Sequence, residues 1–167
     1  MPNWNSNAIH IEGPREKILA LWNQAKHLEL QDQGQCLLEA MAPIEVWDYD
    51  QAIQTWGVKW DVTSEGLVFT DLDDGRASIS GYAETPWGPP IEAFEYYVAA
   101  NPDVFAEIKY FEPGMSFIGV WDSEYGDNCF DDVYSLLNNY NNNEPMVNEL
   151  LEYFEAWEYF DTEEELA

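Results

Sequence analysis

The stretch Gly81–Phe94, GYAETPWGPPIEAF, predicts the place where a strand ends, the chain turns a stiff corner and a helix begins. Pro86, Pro89 and Pro90 each fix their own φ and push the residue before them toward extended geometry. Because proline is well tolerated at the first helical position, Pro89 or Pro90 can open the helix. We expect Trp87, which lies between the prolines, to anchor this corner in the core.

Hydrophobic patterns on both sides of this corner predict alternating strands and helices. Asp74-Gly75 is a strong two-residue hairpin signal, and Pro14 begins a segment with apolar residues at helical spacing. Short hairpins favour antiparallel pairing, so we predict an α+β fold with helices on one face of the sheet. The predicted strands are 7–11, 56–62, 67–72, 76–82, 105–111 and 116–121, and the predicted helices are 14–28 and 90–100.

Net charge is the outstanding property of the composition. The chain has six Lys and Arg residues and 33 Asp and Glu residues, so its formal net charge at pH 7 is −27. Such a chain lacks the basic patches that direct binding to nucleic acid or to an anionic membrane requires, so we expect basic partners. The competing interpretation is an acidic surface that serves only solubility. Aromatic residues make up 16% of the chain, which favours an aromatic contact surface as well.

The composition changes at Gly126. From Asp127 to the last residue there are 12 acidic residues and no Lys or Arg. We therefore predict a domain at 1–126 and an acidic helical extension at 127–167, packed on or beside it. The extension is predicted to hold a short helix at 131–139 and a long one that starts at Glu144-Pro145. On the long helix, acidic residues recur every third position, so that their row winds toward the apolar stripe.

Catalytic and metal motifs are weak throughout the sequence. His10 and His27 belong to no Ser or Cys nucleophile motif, and Thr70–Gly75 fails the EF-hand spacing, so a hairpin turn is preferred there. Cys36 and Cys129 have no metal-type spacing and are expected to be reduced thiols. We predict no enzyme activity, no cofactor and no metal. No signal peptide or membrane span is recognisable, which favours the host cell cytoplasm.

Four ordered motifs, MPNWNSNAIHIEG, WGVKWDV, TPWGPP and YFEPGMSFIGVW, make the chain resemble the YubB or Api92-like ferredoxin-like domain family of phage and plasmid proteins. The resemblance covers about residues 1–122. It implies a split βαβ antiparallel sheet and a mobile-element origin, and it implies no catalytic residues. Two features depart from the family pattern: Asn5 stands where the family usually has Cys, and the acidic segment after Gly126 is an addition.

Two classes of function fit these observations. The first is a DNA-mimic inhibitor that occupies the basic nucleic-acid-binding surface of a host defence protein, such as a restriction enzyme or a CRISPR effector. The second is a non-catalytic adaptor or homodimer that uses exposed aromatic residues. The tryptophans of WGVKWD and TPWGPP also admit a stacking platform, although packing of the sheet corners is preferred. The predicted partner-binding residues are Asp131, Asp132, Glu144, Glu149, Glu152, Tyr153, Glu155, Trp157, Glu158 and Asp161.

Overall fold

A six-stranded antiparallel sheet is the frame of the protein, and the computed structural model describes residues 2–160. The strands are β1 (Trp4–Pro14), β2 (Leu67–Asp71), β3 (Arg76–Pro86), β4 (Phe105–Glu112), β5 (Phe117–Asp122) and β6 (Gly126–Asp131). The helices are α1 (Arg15–Leu30), α2 (Leu37–Met41), α3 (Tyr49–Trp56), α4 (Ile91–Ala100), α5 (Val133–Asn138) and α6 (Pro145–Tyr153), with 3₁₀ turns at Tyr140–Asn142 and Ala156–Tyr159. Across the sheet the order is β2-β3-β1-β4-β5-β6.

Helices α1 to α4 cover the first face of the sheet. Alternate residues of the central strands point into this core, as the two-residue period of a strand requires: Ile9 and Ile11 lie beside Ile108, and all three are buried. Phe94 of α4 packs edge-on against Trp121 of β5 at 6.0 Å between ring centroids. The first core therefore joins all four helices to the sheet.

The second face is covered only in part. Phe111 of β4 and Ile118 of β5 pair in register and form a second core with residues of α5 and α6, including Val133 and Leu151. Over β1, β2 and β3 the same face stays open, and Tyr82 is 62% exposed there. The sheet thus has helices on one face over β1 to β5 and on the other face over β4, β5 and β6, whereas Asp127, Cys129 and Asp131 of β6 are exposed on the first face.

The corner behaves largely as its prolines predict. Strand β3 runs to Pro86, and α4 begins at Ile91 directly after Pro90. The prediction for Trp87 is wrong, because this residue has a φ of 71° and its side chain is 51% exposed. A turn of the backbone into the left-handed region points the indole away from the core.

Three sequence predictions of secondary structure are wrong. Residues 57–63 form an irregular loop instead of a strand, because Gly57 at φ 84° ends α3 and the chain then curls over the core. Residues 127–131, assigned to the helical extension, form strand β6 together with Gly126 and pair with β5. The last helix ends at Tyr153, since Glu155 adopts a φ of 50°, so no continuous helical row of carboxylates forms.

The α+β class is confirmed. The hairpin at Asp74-Gly75 is confirmed too, with both residues at positive φ as a tight β-turn of this kind requires. Within residues 2–160, no helix is both long enough and apolar enough to cross a bilayer.

Candidate functional site

The segment 127–160, called here the C-terminal layer, has a surface that carries only negative charge. Its eight carboxylates are all exposed, and none forms an ion pair with another described residue. They belong to Asp127, Asp131, Asp132, Glu144, Glu149, Glu152, Glu155 and Glu158. The negative charge of these carboxylates is therefore not neutralised by any cation among the described residues.

The six cations of the chain all lie before residue 110, and most of them are engaged. Arg15 binds Asp71 at 2.8 Å, and Lys17 binds Asp103 at 2.6 Å. Lys59 instead lies 4.1 Å from the centre of the Trp60 ring. The other three pairs are Lys26 with Glu29, Arg76 with Glu12, and Lys109 with Glu107. These contacts leave little basic surface to offset the acidic one.

Helix α6 brings part of the predicted site over the sheet. Glu149 and Tyr153 line a groove of about 420 Å³ with Glu107, Lys109 and Asp122 of the sheet. A negative rim thus forms between α6 and the second face, around one lysine. Glu144 precedes the helix, while Glu155, Trp157 and Glu158 lie in and before the final 3₁₀ turn. Asp161 lies outside the described residues.

Other predicted residues have local structural roles. The carboxylate of Asp132 accepts hydrogen bonds from the backbone N–H and the hydroxyl of Ser135, so it caps α5. The Tyr140 hydroxyl donates to Glu152. Asp131 pairs with Phe117 in β5, a register that places it on the face opposite α6. The ten residues therefore form no single flat patch.

Tyr153 joins α6 to the open half of the sheet. Its hydroxyl is 2.8 Å from that of Tyr82, and its ring centre lies 4.6 Å from Lys109 Nζ. Burial, followed by the hydrogen bond to Tyr82, raises the pKa of Tyr153 above the usual range for tyrosine. The residue therefore stays neutral at physiological pH and acts as a hydrogen-bonding aromatic contact.

A row of polar side chains crosses β1 and β3 on the same open face, and it brings His10 beside a serine that no sequence motif links to it. His10 Nδ1 lies 2.6 Å from Ser80 Oγ, and its Nε2 lies 3.3 Å from Glu12. Arg76 donates to Glu12 in turn. The row follows from strand geometry, since His10 and Ser80 are register partners and Glu12 is two residues from His10.

A second groove lies at the edge of β3 and was missed by the sequence prediction. Trp4 and Trp60 meet there with ring centroids 6.1 Å apart, and both are about two-fifths exposed. Trp56 is fully buried and donates to the carbonyl of Ala42, so packing explains this tryptophan of WGVKWD but not Trp60. The signal was present in the sequence as MPNW and WGVKW, but no local pattern brings Trp4 beside Trp60.

Metal-binding groups are absent from the part of the chain that the structure describes: no three His, Cys, Asp or Glu side chains are grouped to hold an ion.

Comparison with known proteins gives one weak structural likeness. No family model matches the chain, and no curated protein sequence matches it. A crystal structure of the protein Api92 from Yersinia pseudotuberculosis is similar with a TM-score of 0.37 and 14% sequence identity. The match covers 59% of this chain and 37% of that one, so this chain matches little more than a third of the length of that structure.

Proposed function

We propose that this protein binds the basic, nucleic-acid-binding surface of another protein and competes there with DNA or RNA. The observation that carries the proposal is the C-terminal layer, whose eight carboxylates are exposed, unpaired within residues 2–160 and accompanied by no cation. Proteins that bind DNA present Lys and Arg to a backbone that carries about one charge per 1.7 Å of axis. A surface of fixed carboxylates offers such residues the same kind of partner.

The biological setting that fits best is inhibition of a host defence protein by a phage or plasmid. Four sequence motifs resemble the YubB and Api92-like family, and this resemblance supports a mobile-element origin. The order β2-β3-β1-β4, with α1 after β1 and α4 after β3, supports the split βαβ assignment for the first 112 residues. In this assignment the family domain includes β5, and β6 with the rest of the C-terminal layer is an addition to it. A restriction enzyme or a CRISPR effector is the proposed target, and the host cytoplasm the proposed location.

The test is a pull-down from host lysate with the full chain as bait, eluted in steps of increasing salt. We expect a nucleic-acid-binding protein to leave between low and moderate salt, because surface charge contacts are screened within about 10 Å at 0.1 M. The captured protein is then purified and its DNA binding is titrated with this protein. Absence of competition with DNA would contradict the proposal.

A matched pair of variants locates the surface. Replacement of Glu149, Glu152 and Glu155 by Gln removes three charges from the C-terminal layer and retains side-chain acceptors. The control replaces Glu16, Glu92 and Glu95, three exposed residues of α1 and α4 on the other face. We expect only the first variant to weaken competition with DNA. Equal effects of both would indicate that overall charge, and not this surface, governs binding.

An adaptor or self-associating module is the second candidate, and exposed aromatic side chains favour it. Trp157 is 42% exposed, and Tyr159 is exposed beside it in the last 3₁₀ turn. Binding through these rings would be nearly independent of salt and lost in Trp157→Ala. Phe154 does not serve the same test, because it packs against Phe111 at 5.7 Å in the second core and its loss would affect folding.

We propose a non-catalytic role, in spite of the Ser80, His10 and Glu12 row. Ser80 pairs with Val68 on one side and His10 on the other, so its backbone N–H belongs to the sheet and is not directed at a bound substrate. An acyl-transfer site needs such donors for its oxyanion. A fluorophosphonate probe should leave Ser80 unlabelled, and covalent modification that disappears in His10→Ala would refute the proposal.

A further inference from the structure

The Trp4 and Trp60 groove is a cavity of about 570 Å³. Its two indoles are tilted by 33° and each remains about two-fifths exposed to solvent. The rest of the lining comes from the loop 60–66, from β1 and from the end of β3. Two exposed tryptophans in contact at a concave site form a surface that packing alone does not require.

The charge of the groove is negative. Glu65 and Glu84 line it, both are exposed, and neither forms an ion pair with a described residue. Asp61 also lies in the lining, but its carboxylate accepts four backbone hydrogen bonds and is not free. An aromatic surface with carboxylates at its rim attracts a cation by charge and by the ring quadrupole together.

The molecule itself shows an ammonium on one of these rings. Lys59 Nζ lies 4.1 Å from the centre of Trp60, and among the six cations of the chain it has an aromatic contact in place of a carboxylate. Trp60 is therefore placed and oriented as a cation acceptor. Trp4, the first residue of β1, adds a second ring beside Trp60. Two rings suit a larger, planar cation such as a guanidinium.

The edge of β3 adds a main-chain contact surface. Strand β2 begins at Leu67, opposite Gly81, so residues 82–86 of β3 have β1 on one side and no strand on the other. The N–H of Tyr82 donates to Gly66 at this edge, and Glu84, two residues on, directs its backbone the same way. An extended peptide can use such an edge for hydrogen bonds while a side chain enters the adjacent groove.

We infer that the Trp4 and Trp60 groove binds an arginine side chain from an extended segment of the basic partner. The guanidinium stacks on the indoles, Glu65 and Glu84 accept its hydrogen bonds, and the edge of β3 holds the main chain. This inference rests on the proposed function for the basic nature of the partner. It assigns to the partner a specific anchor that is separate from the C-terminal layer.

The test is a titration of the full chain, followed through the indole N–H signals of its eight tryptophans. The probe is a short peptide with two arginines, and its control is the same peptide with citrulline, which keeps the shape and removes the charge. We expect the signals of Trp4 and Trp60, assigned with Trp4→Phe and Trp60→Phe, to shift saturably with the arginine peptide alone. The Trp157 signal should stay in place.

Variants separate this anchor from the rest of the surface. Trp60→Leu and Glu84→Gln should each raise the Kd of the arginine peptide about fivefold or more. The control is Trp87→Phe, which changes an exposed tryptophan outside the groove and should leave the Kd unchanged. No shift, an equal response to citrulline, or shifts confined to other tryptophans would overturn the inference. The Glu149, Glu152 and Glu155 variant should bind the peptide normally, so a failure of the C-terminal layer as the DNA-mimic surface is distinguishable from a failure of the groove.

Discussion

Three acidic side chains, those of Asp61, Glu39 and Glu112, stabilise loops and are not part of the solvated acidic surface. Asp61 accepts backbone N–H groups from the first turn of α2 and from Val62, all between 2.7 and 2.9 Å. Buried Glu39 accepts from Ile44 and Glu45. Glu112 is buried too and closes the turn between β4 and β5. These carboxylates fix loops, and their substitution reports on folding and not on binding.

Protonation of Asp61 should contribute to the pH dependence of the free energy of unfolding. Burial raises the pKa of Asp61 to about 6, against the effect of its four N–H donors. Since the folded protein then takes up a proton that the unfolded chain does not, stability should rise by about 1 kcal/mol between pH 7 and pH 5. Urea denaturation across this range measures it. Asp61→Asn should flatten that part of the profile, and an unchanged profile would contradict the assignment.

The two cysteines should differ in reactivity. Burial, with the nearby charges of Asp61 and Glu29, raises the pKa of Cys36 to about 12, and its side chain is 3% exposed. Cys129 is exposed on β6. A thiol reagent at pH 8 should therefore modify one cysteine in the native protein and both in denaturant. The Cys129→Ser variant should show no native reaction, and rapid modification of it would show that Cys36 is accessible.

Among the elements, α6 and β6 decide whether the C-terminal layer stays on the sheet. Strand β6 extends the sheet through β5, and α6 buries Val147, Leu150 and Leu151 against Phe111 and Ile118. The layer is held by an apolar core of its own. Its carboxylates are thereby carried on a fixed support, and the proposed competition with nucleic acid would gain affinity from such preorganisation.

Leu151→Ala should destabilise the protein by about 2 to 5 kcal/mol, because it leaves a cavity in this second core. Thermal unfolding measures the loss, and the exposed Met146→Ala on the same helix provides the control with little expected change. A loss of the same size in both variants would contradict the packing explanation, because alanine is the best helix former and the exposed Met146 leaves no cavity in the core.

The sequence predicted elements where one local rule was sufficient. Asp74-Gly75 fixes its hairpin through backbone conformation, and Pro90 fixes the start of α4. Prediction from the sequence failed where contacts between residues far apart in the chain determine the secondary structure. Residues 126–131, GDNCFD, have little strand propensity and form β6 because β5 offers an edge and Phe130 packs on the second core. The same distinction applies to the candidate site. The exposure of its acidic residues could be predicted from the sequence, because charged side chains are rarely buried. The contact between Trp4 and Trp60 could not, because the two residues are far apart in the chain and meet only in the folded protein.

For the whole molecule, a net charge of −27 destabilises the folded state through repulsion between like charges, and added salt should weaken this repulsion. We expect the midpoint of thermal unfolding to rise as NaCl is increased from about 50 mM to about 500 mM, because the Debye length falls below the spacing of most surface charges. KCl should act equally if screening is the cause. A midpoint that falls, or that responds to only one of the two salts, would contradict this explanation.

The confinement of all six cations to the first 109 residues has a practical consequence for peptide mapping. Trypsin cleaves after Lys and Arg, so it finds no site between residues 110 and 167 and releases them as one long peptide. That peptide contains β5, β6 and every acidic residue assigned to the C-terminal layer. Footprints of a bound partner on this region must therefore be read with a protease that cuts at acidic or aromatic residues, whose sites are dense there.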